Sequence, residues 1–117
     1  MLNRQPFDIH AFKSEFFKAL AHPIRIELLE LLSEKDQFVH ELTDNMNAIN
    51  SALISQHLSI LRAKNIVQGK REGNKVKYSL TDPKLAELLA IAREIFNNQL
   101  SDTITLLTDM DTKDEKK

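Results

Sequence analysis

The amino-acid sequence predicts a mainly α fold with one small β-hairpin, and three observations carry that expectation. A short helical pattern, a tight turn and a second helical stretch follow one another over residues 39–64, the order and spacing of a helix-turn-helix. Directly afterwards the hydrophobic period changes from helical to alternating, in two strand-like runs joined by Glu72-Gly73-Asn74. A long amphipathic run then begins behind Asp82-Pro83. Together these describe a winged helix-turn-helix of about five helices and a two-stranded wing.

Residues 1–8 contain Pro6 and little pattern, and read as a flexible N-terminal arm. From Ile9 to Leu20 a helix is expected, with Ile9, Phe12, Phe16 and Leu20 on one stripe and Phe17 and Ala19 beside it. Ala21-His22-Pro23 breaks the pattern, and Pro23 suits the first turn of a new helix, where a missing N–H costs no hydrogen bond. That second helix, Ile24 to Ser33, has Ile24, Leu28, Leu31 and Leu32 as core candidates. Ile26 and Leu29 widen the arc until the helix is apolar nearly all round, which predicts a central position.

Glu34-Lys35-Asp36-Gln37 reads as a turn, and Phe38 and Val39 as a brief extended piece before a short helix from Val39 to Met46 that buries Leu42 and Met46. Asn47 to Asn50 is a compact turn with Asn50 as N-cap. In the helix that follows, to Lys64, Ile54, Leu58 and Leu61 recur at i, i+4 and i+7 on one buried stripe. Ile66 to Arg71 and Lys75 to Leu80 are strands around a turn whose Gly and Asn accept positive φ. In the second strand Val76, Tyr78 and Leu80 alternate with Lys75, Lys77 and Ser79, so one face packs and the other is cationic. Asp82 as N-cap and Pro83 in the first turn open the last helix, with apolar Leu85, Leu88, Leu89, Ala92, Ile95, Phe96 and Leu100, continuing through Ile104 and Leu107. The charged stretch 109–117 has no periodicity and reads as a disordered tail, leaving 9–108 as the folded domain.

A chain of 117 residues, 42% hydrophobic and 28% charged, is an ordinary single globular domain. No apolar run approaches the ~20 residues of a membrane span, and the first residues lack the apolar stretch of a signal peptide, so membrane insertion is not expected and a cytoplasmic protein is. The absence of Cys excludes disulfides, thiolate metal sites and cysteine redox switching. The formal charge of -1 makes no global case for nucleic acid, but its distribution does. From Leu58 to Leu80 six bases, Arg62, Lys64, Lys70, Arg71, Lys75 and Lys77, stand against Glu72, a local +5 that leaves -6 for the rest.

The chemistry of the Asn50–Lys64 stretch agrees with that polarity. Ser51, Ala52, Ser55, Gln56 and Ser59 occupy its free surface, and the stretch holds no acid. Short hydrogen-bonding side chains on a helix without negative charge suit base edges in the major groove, and the Gln56 amide is the strongest candidate because it can make paired bonds to adenine. Small polar residues are also ordinary surface, and a lone exposed base is usually solvated. Clustering of Arg62, Lys70, Arg71, Lys75 and Lys77, with Asn74 at the tip, around a hairpin just behind such a helix favours contact with phosphates.

With these elements in place the chain resembles the ArsR/SmtB family of bacterial winged-helix repressors. The matching residues are F-K-A-L-A-H-P-I-R-I-E-L-L-E-L-L (Phe17 to Leu32), S-Q-H-L-S-I-L-R (Ser55 to Arg62) and K-R-E-G-N-K-V-K-Y-S-L (Lys70 to Leu80), and the likeness covers roughly Phe16 to Phe96. The resemblance implies a homodimer built from the first and last helices, with paired recognition helices on a near-palindromic operator of double-stranded DNA and wings on the adjacent DNA. Phe12, Phe16, Leu88, Ala92, Ile95 and Phe96 are the expected dimer residues, and the apolar surface of those two helices exceeds what one small domain can bury.

Many members of that family sense metals, and here the chain departs from them. A C-x-C pair of thiolates would fall at Phe38 and His40, and Phe38 cannot ligate. Pro83 to Leu107 contain no His. His10, His22, His40 and His57 never stand at H-x-x-H or i, i+4 spacing, so capping or packing is their expected role, and no metal or other cofactor is expected. Two further readings stand beside the repressor: a winged-helix protein-interaction module without DNA binding, and a sensor with an unrecognised His/carboxylate metal site. An enzyme has little support, since the chain has no G-x-S-x-G, no phosphate-cradling loop and two Gly in total. The sequence does not name what would release the repressor; an organic effector, a partner protein or control of abundance are all open.

Overall fold

Asp8 sets the start of the first helix, its Oδ1 accepting from the His10 and Ala11 amides, and α1 runs Ile9–Leu20. The second helix, α2 (Pro23–Glu34), is capped by His22, whose Nδ1 accepts from the Ile24 amide, with Pro23 in the first turn as the sequence predicts. There follow β1 (Gln37–Phe38), α3 (Val39–Asn45), α4 (Ser51–Ala63), β2 (Val67–Glu72), β3 (Lys75–Leu80) and α5 (Lys84–Glu115). This computed structural model describes residues 7–47 and 50–115, with side chains through residue 111. The predicted arm therefore lies almost wholly outside the described residues, as does part of the turn before Asn50.

The chain divides into two units, Met1–Pro83 and Lys84–Lys117. In the first, Leu28, Leu29 and Leu32 of α2, Leu42 and Met46 around α3, Ile54, Leu58 and Leu61 of α4, and Ile66 and Val67 at the head of β2 are all buried. Fully burying side chains of this size stabilises by roughly 1.5–3 kcal/mol each, before the entropy of ordering them is set against it. The i, i+4, i+7 stripe of α4 is thus its buried face. One expectation is corrected. In α2, Ile26 is exposed and Ile24 and Leu31 are half-buried, so this helix has one buried face and not an all-round apolar contact. In α1 only Ala19 is buried, while Ile9, Phe12 and Phe17 lie open.

The brief extended piece expected at Phe38 and Val39 is a third strand, shifted to Gln37–Phe38 and paired with the wing. The sheet order is β1-β3-β2, all antiparallel, with Gln37 opposite Tyr78 and Phe38 opposite Lys77. Gln37 belongs to this strand and not to a turn, and it is buried. Its Nε2 donates to the carbonyls of Leu31 (2.7 Å) and Lys35 (3.3 Å), and its Oε1 accepts from Asn45 Nδ2 (3.3 Å), which satisfies the amide on both sides. Because β1 lies along its other edge, β3 is half-buried from Val76 to Leu80 and the expected split into a packed and a cationic face is blurred.

Gly73 takes φ 66° at the hairpin turn, and Asn65 takes φ 59° where α4 hands over to β2, a left-handed position that Asn tolerates. In the second unit α5 is a single helix of 32 residues, about 48 Å long at 1.5 Å per residue. It continues through 109–115, where the sequence predicts a disordered tail. No Gly or Pro interrupts the chain after Pro83, so nothing in its covalent structure ends the helix earlier.

Candidate nucleic-acid interface

Asn50 caps α4, its Oδ1 accepting from the Leu53 amide at 2.8 Å, and this fixes which side chains the helix turns outward. With Ile54, His57, Leu58 and Leu61 directed to the core, Ser51, Ala52, Ser55, Gln56 and Ser59 are all exposed. Arg62 in the last turn is exposed as well. Lys64, at the C-cap, is engaged by Glu15 of α1 at 3.5 Å.

A groove of about 480 Å³ opens between α4 and the hairpin, lined by Ser51 and Ser55, by Lys75, Val76 and Tyr78 of β3, and by Phe38, Val39 and His40. It brings the early surface of α4 and the wing lysine into one concave site. Ala52, Gln56 and Ser59 stand exposed on α4 without lining it, and Arg62, Arg71 and Asn74 are exposed elsewhere on the same unit. Lys70 and Lys77 face each other across the strand pair. Like charges directly opposite repel, and Asp36 and Glu72 line the same hollow.

Phe38 organises the mouth of the groove. Its ring stacks on His40 with centroids 5.7 Å apart and planes 12° from parallel, and the ammonium groups of Lys77 and Lys75 lie 5.3 and 5.9 Å from its centroid. Both are within cation–π range, so one aromatic ring draws two cations of β3 toward the groove. Glu41 in turn accepts from the Phe38 amide at 2.9 Å, and that hydrogen bond is the main reason its carboxyl sits below the usual carboxylate range. Phe38, His40 and Tyr78 were not among the predicted contacts. A polar run before Phe38 concealed where the strand begins, and Lys75 and Lys77, its partners, lie nearly forty residues away.

Gly69 explains how Tyr78 fits. A Cβ there would stand 2.7 Å from Val76 Cγ1 and 3.3 Å from Tyr78 Cε1, so only glycine lets β2 pass beneath these two side chains. The predicted dimer residues divide between the units. On α1 Phe12 is exposed and Phe16 half-buried, and on α5 Leu88, Ile95 and Phe96 are exposed and Ala92 half-buried. Among the described residues no three His, Asp or Glu come together as a metal site, and no helix is long and apolar enough to cross a membrane.

A family profile for bacterial regulatory proteins of the arsR family matches residues 22–68, from the cap of α2 into β2. The uncharacterized HTH-type transcriptional regulator Rv0081 of Mycobacterium tuberculosis is 44% identical over 102 residues, 87% of this chain and 90% of that one. Its crystal structure matches with a TM-score of 0.76 over 86% of this chain and 99% of that chain. The HTH-type transcriptional repressor SmtB of the same organism is 40% identical over 84 residues, 72% of this chain and 62% of its own length. The transcriptional repressor BigR from Xylella fastidiosa, at 32% identity, matches with a TM-score of 0.67 over 74% of this chain and 88% of that chain.

Proposed function

The chain belongs to the ArsR family of bacterial regulatory proteins, and from that premise we propose that it represses transcription as a homodimer bound to a near-palindromic operator. The observation that carries this reading is the shared groove: Ser51 and Ser55, on an exposed helix face without a carboxylate, open into the same cleft as Lys75. In this reading α4 enters the major groove, Gln56 with Ser51, Ala52, Ser55 and Ser59 meets base edges, and Arg62, Lys70, Arg71, Asn74, Lys75 and Lys77 meet phosphates of the flanking DNA. His40 and Tyr78 line the strip between helix and wing, where a sugar–phosphate strand would pass.

The dimer reading draws on exposed apolar surface, with Phe12 and Phe17 on α1 and Ile95, Phe96 and Leu100 on α5 all more than a third accessible. A second copy would cover them and set two α4 helices on one face of the duplex. The protein then works in the cytoplasm, where its DNA is, and catalyses nothing. Metal control through α3 has no support in the side chains, because Phe38 and His40 stack on one another where thiolates would stand.

The test is titration of duplex DNA from upstream of its own gene at two salt concentrations. Specific binding that weakens steeply with salt is expected, since each phosphate contact contributes a slope of about -0.9. Absence of binding at low salt would overturn the repressor and leave a protein-interaction module.

A further inference from the structure

On the side of α4 turned away from its open face lies an imidazole that the DNA contacts do not use. His57 is 8% exposed, and its ring lies 4.4 Å from that of His22, centroid to centroid. Its Nδ1 is 3.3 Å from Arg25 Nη1. A guanidinium only donates, so this nitrogen accepts and the proton of the neutral ring sits on Nε2. Arg25 also donates from Nε to the carbonyl of Ala19, near the end of α1, at 2.7 Å. His22 Nδ1 accepts from the Ile24 amide at 3.1 Å, which leaves its Nε2 as the donor. One guanidinium thus ties the end of α1 and the first turn of α2 to the middle of α4. The pair is not a metal site: each Nδ1 already accepts a hydrogen bond, and no third ligand joins them among the described residues.

We propose that Arg25 and His57 are positioning residues for DNA binding, holding α4 where Ser55, Gln56 and Ser59 meet the duplex, and that this hold requires an uncharged His57, so that acid weakens binding. The proposal rests on the DNA reading above. A protonated Nδ1 would set donor against donor and cation against cation at the distance now spanned by a hydrogen bond. Among the described residues no carboxylate acts on the His57 ring, Glu27 and Glu30 of α2 included. Glu15, the acid of α1 that reaches α4, is taken by Lys64 and Lys18, and Glu41 of α3 is bonded to the Phe38 amide. Asp44 of α3 and Lys70, Arg71 and Glu72 of β2 are exposed. The groups acting on His57 are His22 and Arg25. Burial first, then the electrostatic effect of these two neighbours, holds its pKa below the ordinary 6.5. The expected sign is opposite to that of a histidine touching phosphate, which would bind DNA more tightly as pH falls.

The experiment uses a duplex selected from a random-sequence pool at about pH 8, its Kd followed to about pH 5.5 at constant ionic strength. For the wild-type protein Kd should rise severalfold, with about tenfold as the ceiling for a ring that titrates below 6.5 and is read at about pH 5.5. His57→Gln, whose amide oxygen can still accept from Arg25, should bind at the upper pH and lose the dependence. His22→Asn keeps the helix cap while removing the imidazole that lies against His57, so the imidazole resonances of His57 should titrate at higher pH. Binding that tightens in acid, or that weakens equally in His57→Gln, overturns the proposal. If no duplex is recovered at about pH 8 the DNA reading fails instead. The free protein then still decides the positioning role: the amides of Ser55, Gln56 and Ser59 must move with the His57 titration, and amides indifferent to it end the idea.

Discussion

Gln56 and Lys75 divide the proposed interface into two kinds of contact, and single substitutions separate them. Gln56→Ala should change which operator sequence is preferred, because a paired amide–adenine contact is worth about 1–3 kcal/mol of discrimination. Lys75→Ala should weaken all sequences alike and lower the salt slope by about one. Competition binding with a panel of duplexes at two salt concentrations reads both, and the reverse pattern would exchange the roles. The exposed place of Gln56 was legible in the sequence because helical period alone puts it opposite the Ile54–Leu58–Leu61 stripe. Gln37 and Phe38 were not, since their environment is made by β3, far along the chain. His57 was expected to cap or pack, and it is buried, but the guanidinium that engages it comes from α2 and has no local signature. The depressed pKa of His57 also bears on stability. Above the ordinary 6.5 the neutral ring makes its full contribution, and that contribution is lost as pH falls through the folded value, because the unfolded chain takes up the proton first. Thermal melts should therefore fall between about pH 7.5 and about pH 5.5 by more in wild type than in His57→Gln.

Among the elements, α4 and the hairpin depend on features of opposite legibility. Asn50 was recognisable as an N-cap from its place before an apolar stripe, and the Leu53 amide does bond to it. Asn50→Ala should cost about 1 kcal/mol in urea unfolding and loosen the end of α4 nearest the groove. Gly69 carried no signal, because a glycine in a strand marks a close approach only once the neighbour is known. Gly69→Ala puts a methyl against Val76 and Tyr78 at distances that force one of them to move. A loss of roughly 1–3 kcal/mol is expected, with weakened DNA binding as Tyr78 leaves the groove. Unchanged stability would mean that β2 shifts as a unit. The two-residue β1 shows the limit of pattern reading at this scale: two residues cannot display a period, so only pairing defines them.

At the scale of the molecule the question is what covers the apolar surface of the helices. Phe12, Ile95, Phe96, Leu100, Ile104 and Leu107 are each at least half exposed, and α5 presents such residues along most of its length. A soluble monomer rarely leaves so much apolar surface open. The sequence made this visible as a surplus of apolar side chains, although it placed the end of α5 too early. Because Ile95 and Phe96 are exposed within one chain, charging them removes no intramolecular core contact, which makes Ile95→Glu with Phe96→Glu a clean test. The double variant should keep the wild-type circular dichroism spectrum yet run as a monomer in light scattering at micromolar concentration, where the wild type should run as a dimer. Its affinity for a full operator should fall by about 100-fold or more, because two linked half-site contacts become independent. Its affinity for a single half-site should stay within a few-fold of wild type. The operator itself should show two half-sites about one helical turn apart, roughly 34–36 Å. A wild-type monomer at micromolar concentration, or a double variant that still dimerises, would remove the symmetric arrangement and leave each α4 to act alone.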